Sequence, residues 1–467
     1  MTPANRPAFR PGRRRRATPL VVAGALMAAL VVAGCAPGSG TSSTTPSARP
    51  SSAVTTDPAA LGAVNLIVWD QEVRGGQNAQ MTELNTKFQA AYPTVRITRV
   101  SRSFDDLKTT LRLALSGKDA PDVVEANNGR SDMGAFVQAG QLLPLDTYAK
   151  VYGWDTRYPE SVRQYSSYTA DGKTFGSGNL YGLPQVGEVV GIFANTQKLS
   201  ALRIPAPTTW AEFETALATA KSKGEVPLEF GNLDKWPAIH MLGTIQGRTA
   251  TPADIRTLAF GRKGGSWTSA ENTKAAQTLV DWTDKGYFED GVNGTGYDPA
   301  WQAFSKGKGA FLIGGTWLQA DLQKAMGANV SFMLPPPAVA GGPPVATGGT
   351  GLPFAITAKS AHPDAAAAYI NFITNAKAMG VLTATGNLPV ADTASQAVGT
   401  GLQKDVFGAF GKVVDAGGLV PYLDYATPTM YDTLTASLQD LIAKKITPND
   451  FAAKVEKDYS TFSTANG

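Results

Sequence analysis

Carboxylate and amide side chains follow two predicted strands, at positions suited to holding a polar solute. Asp70, Gln71 and Glu72 come directly after one apolar run, and Asn127 and Asn128 come after another. Ionised carboxylates form strong, directional hydrogen bonds, and amides add both donors and acceptors. These five residues are therefore candidates for binding the hydroxyl groups of a ligand.

Aromatic side chains also stand in predicted loops. Trp317 follows the pair Gly314 and Gly315 at a strand end, and Asn232 and Trp236 precede a predicted helix. Aromatic faces pack against the C–H faces of a pyranose, while carboxylates and amides bind its hydroxyl rim. The combination favours a sugar site. Packing of the tryptophans in a core and capping of the helix by Asn232 are the competing interpretations.

The same residue types leave other functions open. A polyamine site also uses carboxylates and aromatic faces, and an iron chelate or a phosphonate is a further non-sugar solute. A secreted glycoside hydrolase needs two carboxylates about 5 Å apart or wider, and Glu72 with Glu188 is the candidate pair. No hydrolase signature surrounds either residue, and the two histidines, His240 and His362, lack zinc-site spacing. Binding without catalysis, metal or cofactor is the expectation.

The elements that position these residues alternate between strand and helix. Apolar runs predict strands at residues 64–69, 95–100 and 122–124, with amphipathic helices over residues 77–91 and ahead of Gly117. This βαβαβ order predicts an open, mostly parallel sheet with helices on both faces. Ligands of such sheets bind beyond the carboxyl ends of the strands, where the candidate carboxylates and amides stand.

Six short stretches share their order and spacing with a known protein family. They are Pro-Asp-Val-Val at residues 121–124, Phe-Val-Gln-Ala-Gly-Gln-Leu at 136–142, Tyr-Gly-Leu-Pro at 181–184, Gly-Ile-Phe-Ala-Asn at 191–195, Pro-Thr-Thr-Trp-Ala-Glu-Phe at 207–213, and the glycine-rich segment 304–317. Together they resemble the extracellular solute-binding proteins of carbohydrate ABC importers, the family that includes maltose-binding protein. Thr209 and Glu212 in the fifth stretch also have the spacing of a helix capping box.

The resemblance implies a fold and a set of lobes. It implies an α/β, two-lobed periplasmic-binding-protein fold, with open, mostly parallel sheets joined by crossing hinge strands and a solute held between the lobes. We expect crossings near residues 186–189, 335–337 and 383–389. The expected boundaries are 62–187 and 336–383 for the first lobe, and 188–335 and 384–467 for the second.

The resemblance also implies binding residues and partners. Glu188 stands where the family binds a hydroxyl, with a structural ion pair as the alternative, and Trp317 matches the family's stacking tryptophan. Thr350, near the second crossing, and Tyr425, in a late aromatic segment, complete the predicted ligand-binding set, with Tyr431 ranked below them. The implied partners are ABC permease subunits with an ATPase, and a monomer is expected. Ala126 replaces a stacking tryptophan of maltose-binding protein, which argues against maltodextrin as the solute.

The N-terminal segment predicts export and a lipid anchor. A basic cluster at residues 13–16 and an apolar run at 20–32 lead to Val-Ala-Gly before Cys35, the only cysteine. This ending resembles the bacterial lipobox, which implies removal of residues 1–34 and lipidation of Cys35. Residues 35–61, rich in Ser, Thr, Pro and Ala, predict a flexible tether. The expected location is outside the cytoplasm, anchored to the cell membrane.

Charge and composition limit the classes of molecule that the protein is expected to bind. Removing the six arginines before Cys35 leaves 36 Lys plus Arg against 38 Asp plus Glu. The mature chain is therefore nearly neutral, which argues against nucleic acid as a partner. With one cysteine there is no internal disulfide, so stability has to come from the core. The tyrosine-rich stretch 148–180 is expected to shape the cleft rim or to cover a lobe.

Overall fold

The computed structural model describes residues 50–466. The predicted signal peptide at 1–34, the lipidation site Cys35 and residues 36–49 of the predicted tether lie outside the described residues. The rest of the predicted tether, residues 50–61, needs correction because it packs on the folded body. The Thr55 backbone N–H donates to Asp364 Oδ2 at 3.0 Å, and Val54 and Leu61 pack against a buried apolar cluster. Within residues 50–466, no helix has the length and apolar character needed to cross a membrane.

Short strands and longer helices alternate along the chain. The strands are β1 Val64–Asp70, β2 Val95–Ser101, β3 Val123–Glu125, β4 Ser167–Tyr168, β5 Asn179–Leu180, β6 Gly187–Asn195, β7 Leu228–Glu229, β8 Phe311–Gly315, β9 Val330–Met333, β10 Ala346–Thr350, β11 Phe354–Ile356 and β12 Leu419–Val420. The helices are α1 Gly75–Ala91, α2 Phe104–Ser116, α3 Ala135–Gln138, α4 Asp146–Tyr152, α5 Trp154–Arg157, α6 Glu160–Arg163, α7 Thr196–Leu202, α8 Trp210–Ser222, α9 Pro237–Thr249, α10 Pro252–Ala259, α11 Ala270–Asp284, α12 Tyr297–Ser305, α13 Gln319–Met326, α14 Pro363–Ile373, α15 Ala376–Ala384, α16 Leu402–Asp415, α17 Met430–Ile442 and α18 Pro448–Asn466.

The first sheet has the order β11-β3-β1-β2 and forms the centre of the first lobe. β1 pairs in parallel with β2 and β3, while β11 pairs antiparallel with β3. The first five elements are therefore the predicted βαβαβ unit. In this arrangement the carboxyl ends of β1 and β3 reach the same edge of the sheet, which brings residues 70–72 close to residues 125–128.

The second sheet has the order β12-β10-β6-β8-β7 and forms the centre of the second lobe. Its central strand β6 pairs antiparallel with β8, β9 and β10, while β7 pairs in parallel with β8 and β12 in parallel with β10. All nine residues of β6 are buried, as a strand enclosed on both faces requires. The predicted two-lobed α/β fold is confirmed.

The chain passes between the two sheets at three places that lie side by side. The first pass ends at Val186, which bridges to Pro389 of the third pass, and Leu183 bridges to Phe354 at the end of the second pass. The second pass needs correction, because β10 pairs with β6 in the second sheet. The chain therefore changes sheet at residues 351–353 rather than near residues 335–337. The other lobe boundaries stay predictions.

Local signals in the sequence set where several helices begin. The Ser103 hydroxyl accepts a hydrogen bond from the backbone N–H of Asp106 at 3.2 Å, which caps α2. Thr209 and Glu212 form the predicted capping box at the start of α8. Apolar residues then bury the helix faces: in the first lobe Phe88 of α1 packs edge-on against Tyr369 of α14 at 5.3 Å between ring centroids.

Candidate ligand-binding cleft

A cleft opens between the carboxyl edge of the first sheet and the helices that cover the second. About 650 Å³ of space in and in front of this cleft is unoccupied by protein atoms, a figure that includes open solvent at its mouth. The lining residues are Gln71, Arg74, Gln77, Phe104, Asn127, Glu188, Trp236, Ile239, His240, Trp317, Thr350, Leu352, Tyr422, Asp424, Tyr425 and Tyr431.

Seven of the eleven predicted ligand-binding residues line this cleft. They are Gln71, Asn127, Glu188, Trp236, Trp317, Thr350 and Tyr425. These residues come from segments spread over more than 350 positions of the chain, and the two sheets bring them to one place. Their contact with a ligand stays a prediction.

Glu188 lies on β6 at the base of the cleft and is hydrogen-bonded to a tyrosine rather than to a cation. The Tyr422 hydroxyl donates to Glu188 Oε2 at 3.0 Å. Burial raises the pKa of Glu188 to about 7, although the Tyr422 hydrogen bond and the charge of Arg74 both lower it. The partner that a buried carboxylate requires is thus a phenol, and Glu188 forms no ion pair, the alternative considered above, with any of residues 50–466.

Aromatic rings form one wall of the cleft, contributed by the second lobe. Trp317 lies two residues beyond the end of β8, and its indole N–H donates to the Tyr297 hydroxyl at 2.8 Å, which fixes the ring. A Cβ atom at position 315 would overlap the Trp317 ring. Glycine at this position is therefore required for the Trp317 ring to lie where it does. Trp236 meets Trp317 edge-on, with 6.2 Å between ring centroids. Both tryptophans remain half-buried, with surface left to meet a ligand.

Asp70 has a partner within the first lobe and does not line the cleft. Its two carboxylate oxygens accept from Arg99 Nε at 2.6 Å and Arg99 Nη2 at 2.8 Å. The same Arg99 Nη2 donates to the backbone carbonyl of Glu72 at 2.7 Å. The bidentate pair therefore ties β2 to the end of β1 and occupies the side chain that the sequence analysis assigned to a ligand.

Glu72 is also turned into the first lobe, where it meets a second carboxyl group. Burial raises the pKa of Glu72 to about 7, and burial together with the charge of Glu72 raises the pKa of Glu125 well above its ordinary value. The carboxyl groups of Glu125 and Glu72 are hydrogen-bonded to each other, and Glu125 Oε2 accepts from the backbone N–H of Gln71 at 2.7 Å. This acid pair holds the backbone from which the Gln71 side chain reaches the cleft.

The two remaining predicted residues hold the protein's own backbone. Asn128 Nδ2 donates to the Gly351 carbonyl at 3.3 Å, beside the second pass between the sheets. Asn232 Oδ1 accepts from the backbone N–H of Ala238 at 3.1 Å, at the start of α9. Helix capping, the competing interpretation for Asn232, is the role its contacts describe. Neither residue lines the cleft.

Nine lining residues were not in the predicted set. They are Arg74, Gln77, Phe104, Ile239, His240, Leu352, Tyr422, Asp424 and Tyr431. Arg74 and Gln77 lie two and five residues after Glu72. The strand-end prediction included residues 70–72 and did not extend to these two. Tyr422 and Asp424 belong to the same aromatic segment as Tyr425. His240 carried no signal, because it stands inside a helix without a motif.

Polar and aromatic contacts join the two lobes at the rim of the cleft. Arg74 Nη2 of the first lobe donates to Asp298 Oδ1 of the second at 2.8 Å. Phe104 meets Trp236 edge-on at 6.2 Å between ring centroids. Arg130 Nη1 donates to the Ala426 carbonyl at 2.9 Å. The lobes are thus in direct contact around the cleft.

A profile of the family described as "Bacterial extracellular solute-binding protein" matches residues 75–380. This match covers well over half of the chain, including every strand of the two sheets except β1 and β12, and ten of the sixteen residues that line the cleft. The chain belongs to this family. The cleft of this extracellular solute-binding protein is lined by Gln71 and Asn127, which follow β1 and β3 of the first sheet.

Individual relatives agree with the family assignment. The chain is 23% identical over 322 residues to the multiple sugar-binding protein of Streptococcus mutans, covering 67% of this chain and 72% of that protein. It is 29% identical over 258 residues to the maltodextrin-binding protein MdxE of Bacillus subtilis, covering 52% and 54%. The solved structure of a chitin oligosaccharide binding protein has the same fold, with a TM-score of 0.71 at 22% identity, covering 86% of this chain and 99% of that one.

Proposed function

We propose that this solute-binding protein captures an oligosaccharide in the cleft between its lobes and delivers it to an ABC importer. The observation that carries the proposal is the opposition of two different walls. Trp236 and Trp317 offer aromatic faces from the second lobe, while Gln71 and Asn127 offer amides from the first. A sugar ring has apolar faces and a polar rim, so it satisfies both walls at once.

The relatives support the sugar class. One is named for binding multiple sugars, one for maltodextrin and one for chitin oligosaccharide. We infer that the partners are permease subunits with an ATPase, and that the protein releases its ligand unchanged.

Anchoring to the membrane is part of the same proposal. The Val-Ala-Gly-Cys ending before residue 36 and the Ser- and Pro-rich segment that follows support lipidation of Cys35 and a tether. A lipid and a flexible tether would keep the binding protein near its permease. Mass spectrometry of the membrane fraction tests it: a diacylglyceryl adduct on Cys35 is expected, and an unmodified N-terminus in the secreted protein contradicts it.

A polyamine is the second candidate solute. Glu188 and Asp424 are carboxylates that line the same cleft as the aromatic rings, an arrangement that also suits a cation. Burial raises the pKa of Asp424 to about 6 and that of Glu188 to about 7, so the two groups are less anionic than exposed carboxylates. This favours the neutral ligand.

Tryptophan fluorescence of the purified protein distinguishes the candidates. We would titrate maltotriose, chitotriose, raffinose and xylotriose, with spermidine as the cation control, and analyse each mixture for hydrolysis products. A saturable signal with a sugar and no product supports the proposal. A response to spermidine alone would show that the solute is a polyamine and not a sugar. Hydrolysis of a sugar would show that the protein is an enzyme.

A further inference from the structure

His240 is the polar residue at the centre of the aromatic wall. It lies in the first turn of α9, and its ring centroid is 5.2 Å from that of Trp236 and 5.3 Å from those of Trp317 and Tyr422. The residue is only 8% exposed, and what remains exposed lines the cleft. The imidazole is thus held between the two tryptophans proposed to stack on a sugar.

One nitrogen of the imidazole has no hydrogen-bond partner in the part of the chain that the structure describes. Nδ1 is buried without a hydrogen bond among residues 50–466. Leaving a buried polar atom unpaired costs about 1–3 kcal/mol, and most buried side-chain polar atoms in native proteins do have a partner. A histidine kept only for packing would be replaced at no loss by Phe, so the unpaired nitrogen points to a partner that arrives with the ligand.

The protonation state of the ring defines which partner fits. Burial lowers the pKa of His240 to about 3, so the ring is neutral at the pH of most extracellular environments. A neutral imidazole carries one N–H donor and one nitrogen acceptor. A hydroxyl group also both donates and accepts, whereas a methylene does neither. His240 is therefore matched to a hydroxyl-bearing ring edge.

We propose that His240 selects the ligand by hydrogen-bonding a hydroxyl on the sugar ring that packs against the wall formed by Trp236 and Trp317. The inference rests on the proposed function and adds a specificity-determining residue to it. The tryptophans fix the plane of the sugar ring, and His240 forms a hydrogen bond with the hydroxyl at one position on the edge of that ring. A ring that is deoxygenated at that position stacks equally well and leaves the imidazole unpaired, so it binds more weakly.

Two substitutions separate hydrogen bonding from packing. His240→Phe keeps an aromatic ring and removes both nitrogens, while His240→Gln restores a hydrogen-bond donor and an acceptor on a side chain of similar length. His362→Phe, at the other histidine, which precedes α14 and lies outside the cleft, is the matched control. Affinities for maltotriose, chitotriose, raffinose and xylotriose are measured by isothermal titration calorimetry on the intact protein, alongside the Tm without sugar.

For any of the four sugars that saturates the wild type, His240→Phe should weaken binding about tenfold. His240→Gln should stay within about threefold of the wild type, and His362→Phe should bind as the wild type does. The Tm of sugar-free His240→Phe should equal or exceed that of the wild type, because an unpaired buried nitrogen has been removed.

Three outcomes overturn the inference, and they can be told apart. Equal affinity of His240→Phe and the wild type removes His240 from ligand selection and leaves the proposed function standing. Equal weakening by Phe and Gln with a lowered sugar-free Tm assigns His240 to packing. Failure of all four sugars to bind the wild type overturns the proposed function together with this inference.

Discussion

The two lobes differ in the side chains that they place at the cleft. The first lobe has charged residues at its strand ends, yet Asp70, Glu72 and Glu125 are engaged with Arg99 and with each other. The second lobe presents aromatic rings, and Trp236 and Trp317 stay half-buried with surface facing the cleft. These three carboxyl groups therefore stabilise the first lobe, and the aromatic rings are the surfaces exposed to the cleft.

This division has an energetic basis. Desolvating a carboxylate is costly unless it is paired, and a pair inside one lobe persists whether or not a ligand is present. Aromatic surface carries no such cost, since it gains from any apolar face that covers it. We expect the first lobe to contribute orientation through Gln71 and Asn127, and the second lobe to contribute most of the binding free energy.

The largest effect should come from breaking the internal charge pair of the first lobe. Arg99→Met leaves the fully buried Asp70 without its cation, and the free energy of unfolding should fall by about 3–5 kcal/mol. Denaturant unfolding measures this fall. The double variant Asp70→Asn with Arg99→Met should recover at least half of it; no recovery would mean that Arg99 acts through its contact with the Glu72 carbonyl instead.

The next effect should be on affinity, at the aromatic wall. Trp317→Ala removes the stacking ring, and the Kd for a bound sugar should rise by a factor of about 30 or more, near 2 kcal/mol. Fluorescence or calorimetric titration gives the Kd. Trp69→Ala, at a half-buried tryptophan outside the cleft lining, is the matched control, and an equal loss in both variants would point to a general loss of folding.

A pH series should distinguish the acid pair from ordinary surface carboxylates. The pKa of Glu72 is raised from 4.5 to about 7. Between pH 4.5 and pH 7 the folded protein therefore binds more protons at this residue than the unfolded chain does. The contribution of Glu72 to stability is therefore complete below about pH 4.5 and falls as the pH rises through 7.

Glu72→Gln removes that dependence. The stability of the variant relative to the wild type should increase between pH 4.5 and 8, on the order of 1–2 kcal/mol. Thermal unfolding across the series measures the difference, which cancels the contributions of His240 and Asp424. Glu83→Gln on the outer side of α1 is the control, and a flat difference for Glu72→Gln would show that its proton is not retained on folding.

The smallest effect should come from the amide wall. Gln71→Ala removes a side chain that contributes one or two neutral hydrogen bonds, so affinity for the bound sugar should fall by about 1 kcal/mol or less. Titration beside Trp317→Ala gives the ratio. A larger loss for Gln71→Ala than for Trp317→Ala would reverse the assignment of the two walls.

Much of the fold was predictable because its signals are local. The strand at residues 64–69, the caps at Ser103 and Thr209, and the βαβαβ order all depend on neighbouring residues. The strand-end argument also located Gln71 and Asn127 correctly at the cleft.

The rest depended on contacts between distant residues. Nothing near Asp70 indicates that Arg99 will occupy it, and nothing near Glu72 indicates a second acid at Glu125. The pairing of β10 with β6 joins segments about 160 positions apart, so the crossing was predicted too early. His240 is hidden by α9, in which residues 237–247 are all buried, so a helix pattern alone cannot separate a cleft residue from a core one.

The three side-by-side passes between the sheets have a consequence for how the molecule breaks. Because the backbone goes from one lobe to the other three times, at residues 183–187, 351–353 and 385–390, a single peptide bond cleaved in one pass leaves two intact connections. The bridges from Leu183 to Phe354 and from Val186 to Pro389 also hold a cut end in place. A protease that nicks one pass would therefore yield fragments that still migrate together under native conditions and separate only after denaturation.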